Sequence, residues 1–240
     1  MKKVWIDAGH GGKDSGATGN GLQEKDVVLA VSLAVKNRLE AEYGDVQVLL
    51  SRSSDVFLEL DERTRKANAA GADILVSIHC NAGGGAGGFE SYRYTSASSG
   101  SVKLQNVMHT EVMNAIKSFG VIDRGQKAAN LHMVRESKMP AVLTENLFID
   151  VAADAAKLKR QDVIDSIVIG HVNGIAKYLG LQKGAGTVED KVHVVVNGKQ
   201  IADGKLENGV TYVPLRAIGE ALGARVSWDN KTKTATVTTE

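Results

Sequence analysis

Three short apolar runs constrain the fold of this 240-residue chain more than any other feature. They occupy residues 4–6, 74–78 and 141–144, and each contains at most one polar residue. Nearly continuous apolar runs of this length are typical of strands that are covered on both faces. Because stretches with helical periodicity separate these runs, the sequence predicts an α/β fold. The expected architecture is a mostly parallel twisted sheet flanked by helices on both faces.

The apolar residues between these runs recur with the period of an α-helix. Val27, Val31, Val35 and Leu39 fall on one face of a helix that is predicted over residues 25–42. Composition and periodicity predict further elements along the chain: helices over residues 60–70, 102–119 and 164–179, a strand over residues 46–50, an edge strand over residues 89–94 and a rim strand around residues 131–134.

The sequence changes character near residue 180. Farther on, Asn197-Gly198 follows an alternating apolar run and is the strongest short signal for a β-hairpin. Pro214 suits the first turn of a short helix, and a second hairpin is predicted over residues 225–238. We therefore expect three segments: a first domain over residues 1–180, a flexible linker over residues 181–190, and a small α+β domain over residues 191–240 built as hairpin, helix and hairpin.

Composition and charge exclude several classes of protein. With 43% hydrophobic and 24% charged residues, the chain has enough apolar material for a core and is not expected to be disordered. A formal net charge of +1 gives no electrostatic reason to expect a nucleic-acid partner. Cys80 is the single cysteine, so an internal disulfide is impossible.

The location of the chain is predicted from its apolar runs. None of them approaches the length of a membrane span, so no membrane insertion is expected. Lys2 and Lys3 resemble the start of a signal peptide, but Asp7 and His10 interrupt the apolar stretch that should follow. We therefore expect a chain that stays in the cytoplasm until it is released, or one that was trimmed from a secreted precursor.

A polar side chain follows each of the three apolar runs. His10 comes after the first run across a turn, while His79 and Glu145 directly follow the second and third. Ligand sites of parallel α/β sheets form outside the carboxyl ends of the strands, so these side chains are expected at one rim. Two imidazoles and a carboxylate are the ligand set of a catalytic zinc centre, in which a remaining carboxylate can act as general base. The residues leave four alternatives for the third ligand: Glu24, Asp7, Asp14 and Glu145.

Other polar residues have simpler interpretations. The glycines around Lys13 suggest a phosphate-binding loop, but Asp14 follows that lysine where a P-loop needs Ser or Thr, so a tight turn is favoured. Cys80 neighbours His79 in a strand and should point to the opposite face, where it is expected to be buried and inert. His109 and His171 are expected to be packed or exposed, and His193 is expected at the surface. For His132 a contact with substrate is the less favoured alternative.

Four separated motifs resemble the zinc-dependent N-acetylmuramoyl-L-alanine amidases of the amidase type 3 family: Ile6-Asp7-Ala8-Gly9-His10-Gly11-Gly12, Glu24, Ser77-Ile78-His79-Cys80-Asn81-Ala82 and Pro140-Ala141-Val142-Leu143-Thr144-Glu145. The resemblance covers residues 1–180 and implies an α/β fold that holds one Zn²⁺. It implies that His10, Glu24 and His79 are the metal ligands and that Glu145 is the catalytic base. The implied reaction cleaves the amide between the lactyl group of N-acetylmuramic acid and the L-alanine of the stem peptide.

The C-terminal segment is similar to the copper amine oxidase N-terminal-like domain of bacterial surface proteins. The resemblance rests on residues 194–199, 212–224 and 226–229, and it implies no copper site. It implies attachment to the cell wall or self-association, for example as a homodimer. The expected whole is a peptidoglycan hydrolase that acts on the wall as a phage endolysin or an autolysin. Two alternatives stay open, namely a zinc peptidoglycan endopeptidase and a non-catalytic cell-wall-binding protein.

Overall fold

The computed structural model of the chain describes residues 1–183, 191–207 and 210–239. The chain divides into two compact units, Met1–Lys183 and Gly184–Glu240, which are described separately below. Of the linker that the sequence predicts over residues 181–190, the part from residue 184 onward lies outside the described residues.

The first unit alternates strands and helices for most of its length. Its elements are, in chain order, β1 (Lys2–Ala8), β2 (Thr18–Gly19), β3 (Leu22–Gln23), α1 (Glu24–Glu42), β4 (Val46–Leu50), α2 (Leu60–Ala70), β5 (Ile74–Asn81), β6 (Phe89–Arg93), α3 (Ser99–Ile116), β7 (Asp123–Ala128), α4 (His132–Arg135), β8 (Ala141–Phe148), α5 (Ala152–Leu158) and α6 (Gln161–Leu179).

Six of these strands form one sheet in the order β4-β1-β5-β8-β6-β7. The pairs β1–β4, β1–β5, β5–β8 and β6–β7 are parallel, while β6 runs antiparallel to β8. The prediction of a mostly parallel sheet is therefore confirmed. The prediction that residues 89–94 form an edge strand is wrong, because β6 lies between β8 and β7. The true edge strand, β7, was missed because its sequence Asp-Arg-Gly-Gln-Lys-Ala has no apolar run.

The sheet is covered on both faces, as predicted. Alternate residues of each central strand pack to opposite sides, so Ile74 and Val76 join the larger core while Leu75 joins the smaller one. Helices α1, α3 and α6 contribute to the larger core, and α2 and α4 to the smaller. Each fully buried Val, Leu or Ile side chain contributes about 1.5–3 kcal/mol, so burial on both faces stabilises the sheet.

Local chemistry explains where the elements differ from the predicted ones. Helix α3 begins three residues earlier than predicted because the Ser98 side chain caps it, accepting a hydrogen bond from the amide of Ser101. It ends at Ile116 and passes into a 3₁₀ turn that Gly120 closes with a φ of 66°. The rim strand predicted around residues 131–134 is wrong. Met133 and Val134 are both buried against the smaller core, which a helical turn permits and an alternating strand does not.

The second unit is small and rich in strands. Asn197 and Gly198 have φ values of 48° and 78° and form the predicted tight turn of its first hairpin. Sheet β11-β10-β9 and hairpin β12–β13 flank one helix, which confirms the predicted hairpin, helix and hairpin and adds one short strand. Its elements are β9 (Lys191–Val196), β10 (Lys199–Glu207), β11 (Val210–Tyr212), α7 (Leu215–Ala221), β12 (Arg225–Asp229) and β13 (Thr234–Thr238). Among the described residues of both units, no helix has the length and apolarity needed to cross a membrane.

Candidate active site

Two buried arginines fix the loop that follows β1. His10 in this loop has a φ of 58°, a left-handed conformation that costs a non-glycine residue on the order of 1 kcal/mol. Arg63 donates hydrogen bonds to the carbonyl oxygens of Ala8 and His10 at 2.7 and 2.6 Å. Arg52 donates to the carbonyl oxygens of Ala8 and Gly9 at 3.0 and 2.7 Å. These bonds hold the strained backbone and thereby set the direction of the His10 imidazole.

Both carboxylate oxygens of Asp7 are bound by neighbouring side chains of the same region. Its Oδ1 forms a salt bridge of 3.0 Å with Arg63, and its Oδ2 accepts a hydrogen bond of 2.8 Å from Ser77. Burial raises the pKa of Asp7, but the combined effect of Arg63, His79 and Ser77 is larger and lowers this pKa below its usual value. The carboxylate is therefore ionised. Of the four carboxylates that the sequence offers as the third ligand, Asp7 is therefore occupied by the arginine.

Glu24, the first residue of α1, brings the two histidines together. The short hairpin β2–β3 turns the preceding loop back toward β1, so this almost fully buried carboxylate lies between the imidazoles. Its Oε2 is 3.0 Å from Nε2 of His10, and its Oε1 is 2.9 Å from Nδ1 of His79. The backbone amides of Ala17 and Cys80 each donate to it at 2.9 Å. The carboxylate is thus held from four sides.

His10, Glu24 and His79 form one compact group of possible metal ligands. One nitrogen or oxygen atom of each lies within 4.8 Å of the others, and the two imidazole rings meet edge to face with centroids 4.9 Å apart. Asp14 accepts from the other side of the His10 ring, 2.9 Å from Nδ1, and this fixes which nitrogen faces Glu24.

Two glycines make room for these side chains. A Cβ at position 9 would lie 2.3 Å from the His79 ring, and a Cβ at position 16 would lie 2.6 Å from both Glu24 and the His10 ring. Gly16 also has a φ of 63°, which favours glycine. Gly9 and Gly16 therefore permit the close approach of the three possible ligands, and the loop makes the tight turn predicted for its glycines.

The electrostatics of the group favour a cation. Burial acts to lower the pKa of His79, but its hydrogen bond to Glu24 and the charges of Glu145, Glu24 and Asp7 raise this pKa to about 9. The pKa of Glu24 shifts far below its usual range, since the two imidazoles outweigh the effect of burial. Three carboxylates around one imidazole create a negative potential that stabilises a positive charge at this point.

Glu145 lies beside the ligand group on the neighbouring strand. It is the register partner of His79 on β5 and of Glu90 on β6. Burial, above all, raises the pKa of Glu145 to about 7; the charges of Glu24 and Glu90 also raise it and His79 lowers it. Its Oε2 is buried and has no hydrogen-bond partner among the residues that the structure describes. A carboxylate with this pKa and a vacant oxygen is suited to accept a proton at neutral pH.

An irregular strand end supports Glu145. Leu147 is fully buried with a φ of 68°, and the β5–β8 register shifts between His79 and Asn81. The side chain of Asn146 donates to the carbonyl oxygen of His79 at 3.0 Å. This bulge fastens the strand that carries Glu145 to the strand that carries His79.

The ligand group opens into a cleft of about 320 Å³. Asp7, Gly9, Asp14 and both histidines line its floor. An apolar wall comes from Phe57 and Leu58 of the loop after β4 and from Leu60, the first residue of α2. The cleft therefore offers polar groups at the base and apolar contact area at one side, as expected of a site for an organic substrate.

The remaining polar residues that the sequence singled out lie elsewhere. Cys80 is buried and free, and burial raises the pKa of its thiol, so the prediction of an inert cysteine is confirmed. His109 links Ser91 to Asp123 at 2.9 Å on each side, but Ser91 is fully buried, so this row does not present a nucleophile. The other three histidines also contact residues outside the ligand group: His171 in α6, His132 in α4 and the exposed His193 in the second unit.

Sequence reasoning missed the charged residues on the other side of Glu145. Glu90 on β6 is buried next to Glu145, and Arg124 and Lys127 of β7 contact it. A signal was present, because a glutamate within a predicted strand needs a partner when it is buried. The partners were hidden in the strand that the sequence did not reveal.

The comparisons with known proteins agree with this site. A family model described as N-acetylmuramoyl-L-alanine amidase matches residues 4–177, which is more than two thirds of the chain. The chain belongs to this amidase family. Members of the family depend on a metal, and the His10, Glu24 and His79 group of this amidase is a possible site for it. A second model, described as copper amine oxidase N-terminal domain, matches residues 195–240.

The amidase is similar to proteins of bacilli and their phages. It is 54% identical over 187 residues to the endolysin of Bacillus phage SPP1, covering 77% of this chain and 69% of that protein. It is 48% identical over 194 residues to the sporulation-specific N-acetylmuramoyl-L-alanine amidase of Bacillus subtilis, covering 81% and 74%. The solved catalytic domain of CwlV, an N-acetylmuramoyl-L-alanine amidase from Bacillus (Paenibacillus) polymyxa, is 39% identical with a TM-score of 0.71, covering 76% of this chain and all of that domain. The family and enzyme class implied by the sequence are confirmed.

Proposed function

We propose that this amidase hydrolyses the amide bond between the lactyl group of N-acetylmuramic acid and L-alanine in peptidoglycan. In the proposal His10, Glu24 and His79 hold one Zn²⁺ and Glu145 is the general base. The observation that carries the proposal is the convergence of three ligand side chains from separate segments beside a carboxylate that has one vacant, buried oxygen. Family membership supports the reaction class.

The donor set fits zinc. Two imidazoles and one carboxylate are a common protein ligand set of catalytic zinc and leave a further position open. Asp14 lies behind His10 in the place where an orienting carboxylate supports a metal-bound imidazole. When bound, the ion supplies Lewis acidity, which polarises the scissile carbonyl and lowers the pKa of the attacking water.

Glu145 performs the proton transfers in the proposed reaction. Its pKa of about 7 lets the ionised form accept a proton from the attacking water at Oε2. The protonated carboxyl can then deliver that proton to the departing amine of L-alanine. The pairing of β8 with β5 and β6 keeps Glu145 at its position, and the apolar wall around Phe57 contacts the substrate.

The second unit is proposed to take no part in the hydrolysis. Residues 191–240 are proposed as a domain that attaches the chain to the cell wall or pairs with a second copy, in line with the family that they match. The amidase is proposed to act on the wall as an endolysin or an autolysin, and its relative from Bacillus phage SPP1 is named an endolysin. Residues 181–190 are proposed as the linker.

Mass spectrometry of fragments that the protein releases from purified sacculi tests the proposal. We expect new free amino termini on L-alanine, loss of this release with a chelator, and its return with Zn²⁺. Cleavage within the stem peptide would instead indicate the endopeptidase. Binding to sacculi with no released peptide would indicate the non-catalytic alternative.

A further inference from the structure

A buried carboxylate shared by two cations lies next to Glu145. Glu90 is 2% exposed and is the register partner of Glu145. Its Oε2 accepts hydrogen bonds from Nε of Arg124, at 2.7 Å, and from Nζ of Lys127. Its Oε1 accepts from Asn81 at 2.7 Å and from the hydroxyl of Tyr92 at 2.6 Å. Glu90 is thus fully hydrogen-bonded within the protein.

The two cations keep donors that Glu90 does not use. Their side chains are 31% and 37% exposed, so both reach the surface. Besides Glu90, Arg124 donates through Nη1 to the carbonyl oxygen of Gly87 at 3.3 Å, and no described residue accepts from its Nη2. Lys127 has three N–H donors, of which Glu90 takes one. Spare donors of two adjacent cations are suited to binding a carboxylate.

Aromatic rings hold both cations in place. The guanidinium of Arg124 lies over the Phe148 ring with its carbon 4.7 Å from the ring centroid. The ammonium of Lys127 lies 5.7 Å from the centroid of Tyr92. Because each side chain is fixed by a ring and by Glu90, little side-chain entropy is lost when an anion binds.

The order of the strands places this pair on a defined side of the site. At this side of the sheet His10 follows β1, and His79 lies in the last three residues of β5. Glu145 of β8 and Glu90 of β6 are aligned with His79 by strand register, and Arg124 lies near the start of β7. The apolar wall of the cleft comes from the loop after β4, at the opposite end of the same edge. A substrate whose scissile amide lies at the ligand group and which crosses the edge therefore contacts the apolar wall with one half and the cation pair with the other.

We infer that Arg124 and Lys127 bind a carboxylate of the stem peptide beyond L-alanine and so select the peptide by its charge. The inference rests on the proposed amidase reaction. The lactyl carboxyl of the sugar is consumed in the scissile amide, so the glycan half offers no carboxylate at this point. The peptide half offers one wherever the residue after L-alanine keeps a free carboxylate instead of carrying the amide. The peptide half should therefore lie on the β7 side and the glycan half on the β4 side. This orientation brings the negative carboxylate of the peptide to the two cations.

Two soluble muramoyl peptides that differ in one group test this in the unmodified protein. The first has D-isoglutamate after L-alanine and the second has D-isoglutamine, so that only the carboxylate changes. We expect kcat/KM for the acid to exceed that for the amide by about tenfold or more, mostly through KM, because a charge-assisted hydrogen bond is lost. Equal kcat/KM for both peptides would overturn the inference. Cleavage of neither peptide at the muramoyl–alanine bond would instead count against the proposed reaction.

Substitutions then test whether Arg124 and Lys127 cause the preference for the acid peptide. Arg124→Gln and Lys127→Gln should each raise KM for the acid peptide and leave KM for the amide peptide nearly unchanged. Arg124→Lys should retain part of the preference, and Lys117→Gln, which removes an exposed cation of the same unit elsewhere, should retain all of it. If the cations only neutralise Glu90, the Gln variants would lower activity on both peptides equally, and this result would overturn the inference. Because Lys127→Gln leaves Arg124 on Glu90, it tests the pair even if Arg124→Gln does not fold.

Discussion

At the scale of single residues, Glu145 differs from every other carboxylate near the ligand group in how its oxygens are used. Asp7, Asp14 and Glu24 each accept hydrogen bonds or ion pairs at both oxygens. The Oε2 of Glu145 is buried and has no partner among the described residues. Leaving a buried acceptor unsatisfied costs about 1–3 kcal/mol, so a functional reason for it is expected.

Glu145→Gln should separate catalysis from metal binding. The substitution keeps the size of the side chain and removes its ability to take a proton, so kcat should fall by about 10²–10⁴. Bound zinc, measured by elemental analysis after dialysis, should stay at the level of the unmodified protein. A variant with more than about a tenth of the original kcat would assign the base to another residue.

Gly16→Ala should weaken metal binding. The new Cβ would lie 2.6 Å from both Glu24 and His10, so the ligands must move apart. Gly21→Ala is the matched control, since Gly21 also has a positive φ of 75° while its Cβ would meet only Lys159 at 3.9 Å. Both variants should lose about 1 kcal/mol of stability through backbone strain. A zinc dissociation constant that rises equally in both would show that the clash is unimportant.

The choice of Glu24 illustrates what single residues reveal. His10, His79 and Glu145 could be identified from the sequence because each follows an apolar strand. Residue reasoning alone left four carboxylates open for the third ligand. The selection depends on the hairpin β2–β3, which returns the loop to β1, and on the arginine that occupies Asp7. These are contacts between distant segments, and local patterns do not encode them.

At the scale of elements, α6 contacts the strand that carries Glu145 through one buried histidine. The hydroxyl of Thr144 is 3.0 Å from Nε2 of His171, whose Nδ1 is 2.8 Å from the carbonyl oxygen of Ile167. Burial lowers the pKa of His171 to about 4, compared with 6.5 in an unfolded chain. The histidine is therefore neutral in the folded protein at pH values where it is charged in the unfolded one.

This histidine predicts a loss of stability in acid. Below pH 6.5 the unfolded chain takes up a proton that folded His171 does not, so the free energy of unfolding decreases as the pH falls from 6.5 toward 4. Between pH 7 and pH 5 this group should account for about 2 kcal/mol. Urea unfolding of the metal-free protein at both pH values, compared with His171→Gln, isolates the effect. If the variant loses as much stability as the original, His171 is not the responsible group.

Some strands could be predicted from the sequence and one could not. Strands β1, β5 and β8 were found because burial on both faces requires continuous apolar runs. Strand β7 was missed because an edge strand needs few apolar residues, and the charges that it presents to Glu90 looked like those of a loop. The cation pair could therefore be recognised only after the sheet was assembled.

At the scale of the whole molecule, the two units should be separable in function. Ending the chain at Lys183 removes the second unit and leaves all residues of the ligand group and the cation pair. We expect kcat/KM on soluble muramoyl peptides to be unchanged. Co-sedimentation with sacculi, or self-association in analytical ultracentrifugation, should be lost. Unchanged behaviour in both assays would contradict the proposed role of residues 191–240.

The central claim is that three side chains from separate segments hold one zinc ion on which the hydrolysis depends. Titration of the metal-depleted protein with Zn²⁺, with release of muramoyl-linked peptide as the readout, tests it most directly. Activity should start near zero, rise in proportion to added zinc and level off at one equivalent per chain, and His79→Ala should stay inactive throughout. Full activity of the protein after verified removal of metal would contradict the account.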